Sequence, residues 1–423
     1  MNSSTSTWLD WLKKAEQLFD QKRHDEAASL AERVLQANPG CALAYQVLGL
    51  VRSERGKPQE AIPLLAKAVA LQSDLVHTHN GLGRCYYLLG DLERALHHFD
   101  VALYLQPEHA FAHFNRAMVW LKQGRYREGW VDYEWRWNCG LVQRTLIPRP
   151  RWDGSPLGGR GIMVHTEQGI GDAIQFLRFL PELKRRGGRV VLACQKALHA
   201  LLRPLHCVDE WFPIDEPGQI SFEVYVPLLS LPAVLGVEEK TIPRQVPYVF
   251  ADPERLERWR PRIEALPGFK VGLCWQGSPT FGADRYRSMP LAAFEPLTKI
   301  PGVTLVSLQK GPGTEQIEPN REQVPLQAWD DLDRDAPFMD TAAIIQHLDL
   351  VVSTDTAAAH LAGAMGRPVW LLLSVASDWR WLVDRSDSPW YPTMRLFRQK
   401  LFGNWGAVVA EVAAALRNAS TGR

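Results

Sequence analysis

The chain has 423 residues, more than one ordinary hydrophobic core accommodates, so several domains are expected. Its 48 Lys and Arg balance 47 Asp and Glu, with 22% charged and 46% hydrophobic residues. This is a globular profile that lacks the positive excess of a nucleic-acid binder. The six cysteines, at 41, 85, 139, 194, 207 and 274, form no C-x-x-C pair, which argues against a zinc site or disulfide framework and for buried thiols in a reducing compartment.

The N-terminus, MNSSTSTWLDWLKK, has no apolar run behind a basic start, and no stretch of 18 apolar residues follows anywhere. A cytoplasmic protein with no membrane span is the expectation. In the first third, small residues recur at a spacing of 34: Ala27, Ala61 and Ala95; Gly49 and Gly83; Gly56, Gly90 and Gly124. In the clearest unit, 75–108, Leu82, Gly83 and Tyr86 line a first helix, Ala95, Phe99 and Ala102 line a second, and Gly90 closes the turn. Small residues let paired helices approach closely while large ones fill the next groove.

These positions resemble the tetratricopeptide repeat. Three good repeats are read at 8–41, 42–74 and 75–108, then a degenerate fourth from 109 in which Gly129 replaces the alanine. Tyr126, Trp130, Tyr133 and Trp137 form a helical aromatic stripe, read as a packing seam to the next domain. Six histidines, at 77, 79, 97, 98, 109 and 113, make no compelling ligand set. The array carries no catalytic constellation, so a protein or peptide bound on its concave face is the expected partner, with a purely structural cap as the alternative.

A Pro/Arg/Gly-rich linker at 138–160 precedes short apolar strands alternating with helices. Strand 161–166, a helix from about Asp172 to Arg186 and strand 189–195 open a first Rossmann-like half, 161–250. A second half, 265–400, restarts at FKVGLCWQG and continues through VTLVSLQKG, DLVVST, TAAAHLAGAM and RPVWLLLS. A closing helix and tail, 401–423, is expected to return to the first half. The fold class is therefore α plus α/β: a repeat solenoid followed by two parallel sheets with a cleft between them.

Three loops at strand ends carry chemistry, where open α/β sheets place ligands. HTEQGIGDAIQF offers two carboxylates, Glu167 and Asp172, beside Gln168, Gly169 and Gly171, with Asp172 as helix N-cap in the structural reading. STDTAAAHLAGAMGRPVW offers Ser353, Thr354, Asp355, Thr356 and Ala357 at a helix start, with His360 one turn on, a set suited to a diphosphate or to capping alone. CWQGSPTFGADRYRSMP offers Gln276, Gly277 and Ser278 with Arg285 and Arg287, whose planar forks suit phosphate, and Gln309 and Lys310 follow for a nucleoside.

G-D-x(8)-P-x-L within GIGDAIQFLRFLPEL, R-x-x-PLxxFxPL at 287–297 and STDTAAAHLAGAMGRPV occur in order over residues 160–400 and together resemble the heptosyltransferase-like glycosyltransferases of family 9. The resemblance implies a GT-B fold and metal-free inversion from a nucleotide-sugar donor, with Asp172 as catalytic base and Ser353, Asp355, Thr356 and His360 in the donor-diphosphate motif. Asp355-Thr356-Ala357 departs from the family's Asp-Thr-Gly. In plan, repeats joined to this enzyme resemble protein O-glycosyltransferases, including flagellin-modifying ones.

No metal or other cofactor is expected, since Asp331 and Asp333 form D-L-D in a segment without strand character. The alternatives are an inactive transferase-like scaffold, a transferase for an envelope saccharide and, less favoured by the repeats, a nucleotide-sugar epimerase. The Trp-rich segment SDWRWLVDRSDSPWYPTMRLF is expected to brace the two halves, with Arg380 as a reserve phosphate ligand.

Overall fold

The structure, a computed structural model, describes residues 3–142, 147–215 and 221–421. It divides into two compact units, Met1–Leu141 and Val142–Arg423. The first unit is four helix pairs: α1 (Ser3–Asp20) with α2 (His24–Ala37), α3 (Ala42–Glu54) with α4 (Pro58–Leu71), α5 (Val76–Leu88) with α6 (Leu92–Leu105), and α7 (Ala110–Lys122) with α8 (Tyr126–Tyr133).

Ala27, Ala61 and Ala95 are all fully buried, as the 34-residue period requires. A Cβ on Gly83 would stand 2.5 Å from the Phe99 ring, so only glycine lets α5 meet α6 this closely. Gly90, at φ 83, supplies the left-handed residue of the turn between them. The fourth pair is complete: at Gly129 the place of the alanine methyl is taken by Leu121 of α7, 2.6 Å from where a Cβ would be.

The aromatic stripe packs on itself inside this unit. Tyr126 stacks on Trp130 at 5.7 Å, Trp130 meets Tyr133 edge-on at 6.1 Å, and the buried Arg136 guanidinium lies over the rings of Tyr133 and Trp137. The histidines serve packing and polar satisfaction. His79 and His98 share an Nδ1–Nδ1 contact at 3.1 Å, and His113 stacks on Trp135 at 4.1 Å while bonding Asp132. Burial, reinforced by the charges of His79, His97 and Arg94, pushes His98 down to about 4.

In the second unit, β1 (Gly161–His165) leads to α9 (Ile170–Phe176) and α10 (Leu180–Arg185), which a short 3-10 turn separates. β2 (Arg189–Cys194), α11 (His199–Leu202), β3 (Glu210–Pro213), β4 (Val224–Pro227) and α12 (Leu231–Leu235) complete the first half. Its sheet is parallel in the order β3-β2-β1-β4. Residues 150–160 are not a free spacer, because Trp152 is buried and donates its backbone N–H to Tyr225 of β4, and Leu157 is buried too. Residues 143–146 of the expected linker lie outside the described residues.

The second half contains α13 (Pro253–Glu264), β5 (Phe269–Cys274), α14 (Asp284–Arg287), α15 (Glu295–Thr298), β6 (Val303–Ser307), α16 (Met339–His347), β7 (Leu350–Thr354), α17 (Ala357–Ala364), β8 (Val369–Leu373), β9 (Met394–Arg398) and α18 (Trp405–Thr421). Its sheet is parallel in the order β6-β5-β7-β8-β9. Trp259 of α13 donates to Asp340 of α16, so this half begins upstream of residue 265.

The closing helix corrects an expectation. α18 does not return to the first half: Val408, Val409, Val412, Ala413 and Leu416 join Val271, Leu273 and Phe397 in the second half's own core. Its apolar stripe faces the nearest uncovered side of a parallel sheet, which needs helices on both faces.

Candidate active site

In the first sheet the strand order reverses between β1 and β4, and in the second between β5 and β7. Crevices at such switch points, outside the carboxyl ends of the strands, are where α/β sheets bind ligands. The carboxyl end of β1 runs into residues 166–172, and those of β5 and β7 into 275–278 and 355–357. Two of the three loops singled out from the sequence therefore flank one switch point, and the third flanks the other.

The loop after β1 is held by side chains. Thr166 donates to Gln195 Oε1 at 2.8 Å, and the Gln195 amide donates to the carbonyl of Gln168, which sits at φ 66. Glu167 is buried and accepts from the Leu229 N–H just beyond β4, across the switch point. Asp172 is not the N-cap: α9 starts at Ile170, Gly169 is the cap, and Asp172 at the third helical position reaches back to the Gly169 N–H at 2.8 Å. This is the acidic arm of a capping box.

The other oxygen of Asp172 accepts from Nη2 of Arg380, which belongs to the second half. Arg380 is buried. It also donates through Nε to Gln175 and through Nη1 to Asp378 at 2.8 Å, and its guanidinium lies 4.6 Å over Trp379. One arginine thus stands among carboxylates from both halves. Next to it, Trp381 Nε1 donates to Asp355 Oδ2 at 2.8 Å, and His360 Nε2 lies 3.6 Å from Asp355 Oδ1, an ion-pair rather than a hydrogen-bond distance.

His360 is fixed from behind by Tyr391, whose hydroxyl is 2.9 Å from Nδ1. With Tyr391 as donor the ring carries its proton on Nε2, toward Asp355. Burial, foremost, holds Tyr391 well above the ordinary phenol range, so it keeps the hydroxyl proton. Asp355 is pushed up most by burial, yet contact with His360 and then the charge of Arg287 and the Trp381 bond outweigh it and hold the carboxyl below the usual range. Asp378 goes the other way: burial and the charges of Asp355 and Asp172 raise it against the pull of Arg380.

The remaining predicted residues separate into two groups. Ser353 and Thr354 are wholly enclosed, the Ser353 hydroxyl meeting Thr356 at 2.9 Å and Thr356 reaching Cys274 Sγ. Ser353 and Thr354 therefore sit inside the β7 turn, behind the loop surface where the sequence reading placed them as ligands. Gln309 is likewise buried. Its oxygen accepts from the N–H groups of Trp275 and Gln276 and its nitrogen donates to the carbonyls of Gln276 and Pro312, so it ties the ends of β5 and β6 together.

Arg287 pairs with the buried Asp284 at 3.0 Å, whose second oxygen holds Ser288, which accepts in turn from the Gly277 N–H. Ser278, Arg285 and Lys310 are exposed; Ser278 bonds Thr280, and Lys310 donates to the Leu332 carbonyl. Thr356 caps α17 and Ala357 begins it. Among the described residues no group of three His, Cys, Asp or Glu is arranged to hold a metal ion. No helix among them is long and apolar enough to cross a membrane.

Sequence reasoning assigned no part to Asp378, Gln175, Arg178 or Tyr391. Gln175 and Arg178, one turn apart inside the apolar run AIQFLRFL, were the available signal, since buried polar residues require partners. Arg178 is indeed buried, and donates to the Trp390 carbonyl, to Pro243 at 3.1 Å and to Tyr248 at 2.9 Å. With Trp379 and Trp390 packed on Phe176 and Phe179, the Trp-rich segment braces the halves as expected.

The tetratricopeptide repeat family model matches residues 41–108. Among solved structures, an O-GlcNAc transferase mutant of Thermobaculum terrenum aligns with 99% of this chain and 87% of its own at 16% identity and a TM-score of 0.37. A family 9 glycosyl transferase of Veillonella parvula aligns with 63% of this chain and 99% of its own at 12% identity and a TM-score of 0.49. Protein FlbA of Caulobacter vibrioides is 31% identical over 427 residues, spanning 95% of this chain and 71% of that protein. The chain, a tetratricopeptide-repeat array followed by two parallel α/β halves, belongs to the family of protein FlbA.

Proposed function

We propose that the protein is a glycosyltransferase that moves a sugar from a nucleotide-sugar donor to an acceptor hydroxyl, with inversion and without a metal, the acceptor being a protein held by the repeats. The observation that carries this reading is the meeting of the switch-point loop after β1 with α17 and the segment after β8: Asp172 and Gly171 from the first half stand against Arg380 and His360 from the second. A carboxylate thereby lies next to cationic and helix-end groups that favour a phosphate. The donor lies at the carboxyl ends of β5 and β7, with Gln276, Gly277, Arg287, Asp355, Thr356, Ala357 and His360 around it and Arg285 and Lys310 at the rim.

In the transfer, the acceptor oxygen attacks the anomeric carbon as the carbon–oxygen bond to the diphosphate breaks. The bonding pair leaves with the diphosphate, and Asp172 takes the hydroxyl proton. Arg380, Arg287 and the α17 N–H groups stabilise the departing charge. Glu167 supports the loop from inside.

Thermal-shift screening against nucleotide sugars, followed by assay of donor hydrolysis and of transfer to protein, tests this reading. A ligand of the folded state raises the melting temperature in proportion to RT ln(1+[L]/Kd). Absence of both stabilisation and turnover across the common nucleotide sugars would leave the scaffold reading in its place.

A further inference from the structure

Asp172 spends one oxygen on the Gly169 N–H and the other on Arg380. With both oxygens engaged, the carboxylate has no lone pair turned to a third partner until one of these contacts is released. Arg380 in turn has one fork directed at carboxylates on both sides, Asp172 from the first half and Asp378 from its own, while Gln175 takes Nε. Phe176 and Trp379 line the guanidinium at 5.6 and 4.6 Å. Trp381, on the neighbouring position, touches Asp355 at the start of α17. The arginine therefore stands between the carboxylate of one half and the segment that contacts the start of α17 in the other.

Resting on the transferase reading, we propose that Arg380 arbitrates between Asp172 and the donor diphosphate: its ion pair with Asp172 and its engagement of the diphosphate compete for one guanidinium. The diphosphate carries more negative charge than a carboxylate and draws the fork toward α17. Asp172 then loses its cationic partner while keeping the Gly169 bond that aims it. While Arg380 holds it, both Asp172 oxygens are occupied; when the leaving group takes Arg380 over, one oxygen is freed to accept the proton of the acceptor hydroxyl. Arg380 is thus a positioning residue toward Asp172 and a ligand toward the donor.

The test measures binding of inorganic pyrophosphate to the full chain by calorimetry, which needs no knowledge of the base or sugar. Asp172→Asn keeps the acceptor for the Gly169 N–H and removes the competing charge, so pyrophosphate should bind about tenfold tighter than to wild type, the scale of a close charge pair. Arg380→Gln should weaken binding. In Asp172→Asn with Arg380→Gln the tightening should vanish.

Unchanged or weaker binding by the Asp172→Asn variant overturns the proposal, and this single isosteric change decides even if Arg380→Gln fails to fold. Tightening that persists without Arg380 also overturns it, since simple repulsion between Asp172 and the anion then accounts for the effect. The transferase reading is tested apart, by nucleotide-sugar turnover. Arginine-dependent tightening without turnover keeps the competition and sinks the enzyme, while turnover without tightening does the reverse.

Discussion

Gly171 lies beneath the His360 ring so closely that a Cβ there would stand 2.8 Å from Cδ2. The first half approaches α17 at this point through backbone, and the absence of a side chain sets the separation. Gly171→Ala should push α9 and α17 apart by a fraction of an ångström. Overpacking of this kind costs about 1–3 kcal/mol. Transfer should fall by ~10²-fold, the scale of a misplaced reacting group. A variant with wild-type turnover, measured with saturating donor, would show that the contact does not set the cleft.

Asp172→Asn should lower transfer by about 10²–10⁴-fold, the range for removing a general base, while nucleotide binding survives. The amide oxygen still accepts from Gly169, so the α9 start is kept. Single-turnover assays with donor bound would isolate the chemical step. Wild-type rates would reduce Asp172 to its capping role.

Arg178 gives the brace between the halves its polar centre. Arg178→Met leaves the carbonyls of Trp390 and Pro243 and the hydroxyl of Tyr248 without their donor, and each buried acceptor left unsatisfied costs about 1–3 kcal/mol. Arg178→Lys should recover little, since lysine lacks the fork. Chemical denaturation of the three proteins side by side reads this out, and a shift below 1 kcal/mol for Arg178→Met would place the bracing in the aromatic contacts alone.

The repeat unit should lose stability as the pH falls from about 6.5 toward 4. His98 is pushed down to about 4 when folded, chiefly by burial, whereas the unfolded histidine binds its proton at its ordinary value. Between those two values the unfolded chain holds the extra proton, so stability rises with pH there. His98→Gln should flatten the slope, as followed by circular dichroism melts at successive pH values. An unaltered slope would shift the cause to His109, which burial also lowers.

Asn80 on α5 and Asn115 on α7 are joined side chain to side chain at 2.9 Å on successive first helices of the array. If the acceptor is a protein held there, Asn80→Ala or Asn115→Ala should raise KM for it roughly fivefold, the worth of about one hydrogen bond. Donor hydrolysis by water should stay the same. Equal KM values for the protein acceptor, or equal use of a free monosaccharide, would make the array an appendage.

What the sequence by itself determined was everything written in short-range periods. Ala27, Ala61 and Ala95 announce paired helices because close helix packing recurs with every repeat, and apolar runs ending in Gly, Ser, Thr or Asp announce parallel strands. Strand edges and the loops after β1, β5 and β7 were legible for that reason. The direction in which side chains are spent was not.

Ser353 and Gln309 have the composition of ligands, yet both are buried and spend polar atoms on their neighbours, because enclosed hydroxyls and amides must find partners nearby. The path of α18 was decided by which sheet face lay uncovered, a property of the assembled core. The pairing of Asp172 with Arg380 and of Gln175 with the same guanidinium joins positions 208 and 205 residues apart. No local pattern encodes such a pair: it exists only because two separately formed halves bury their facing ends together, and buried charges are then stable only when matched.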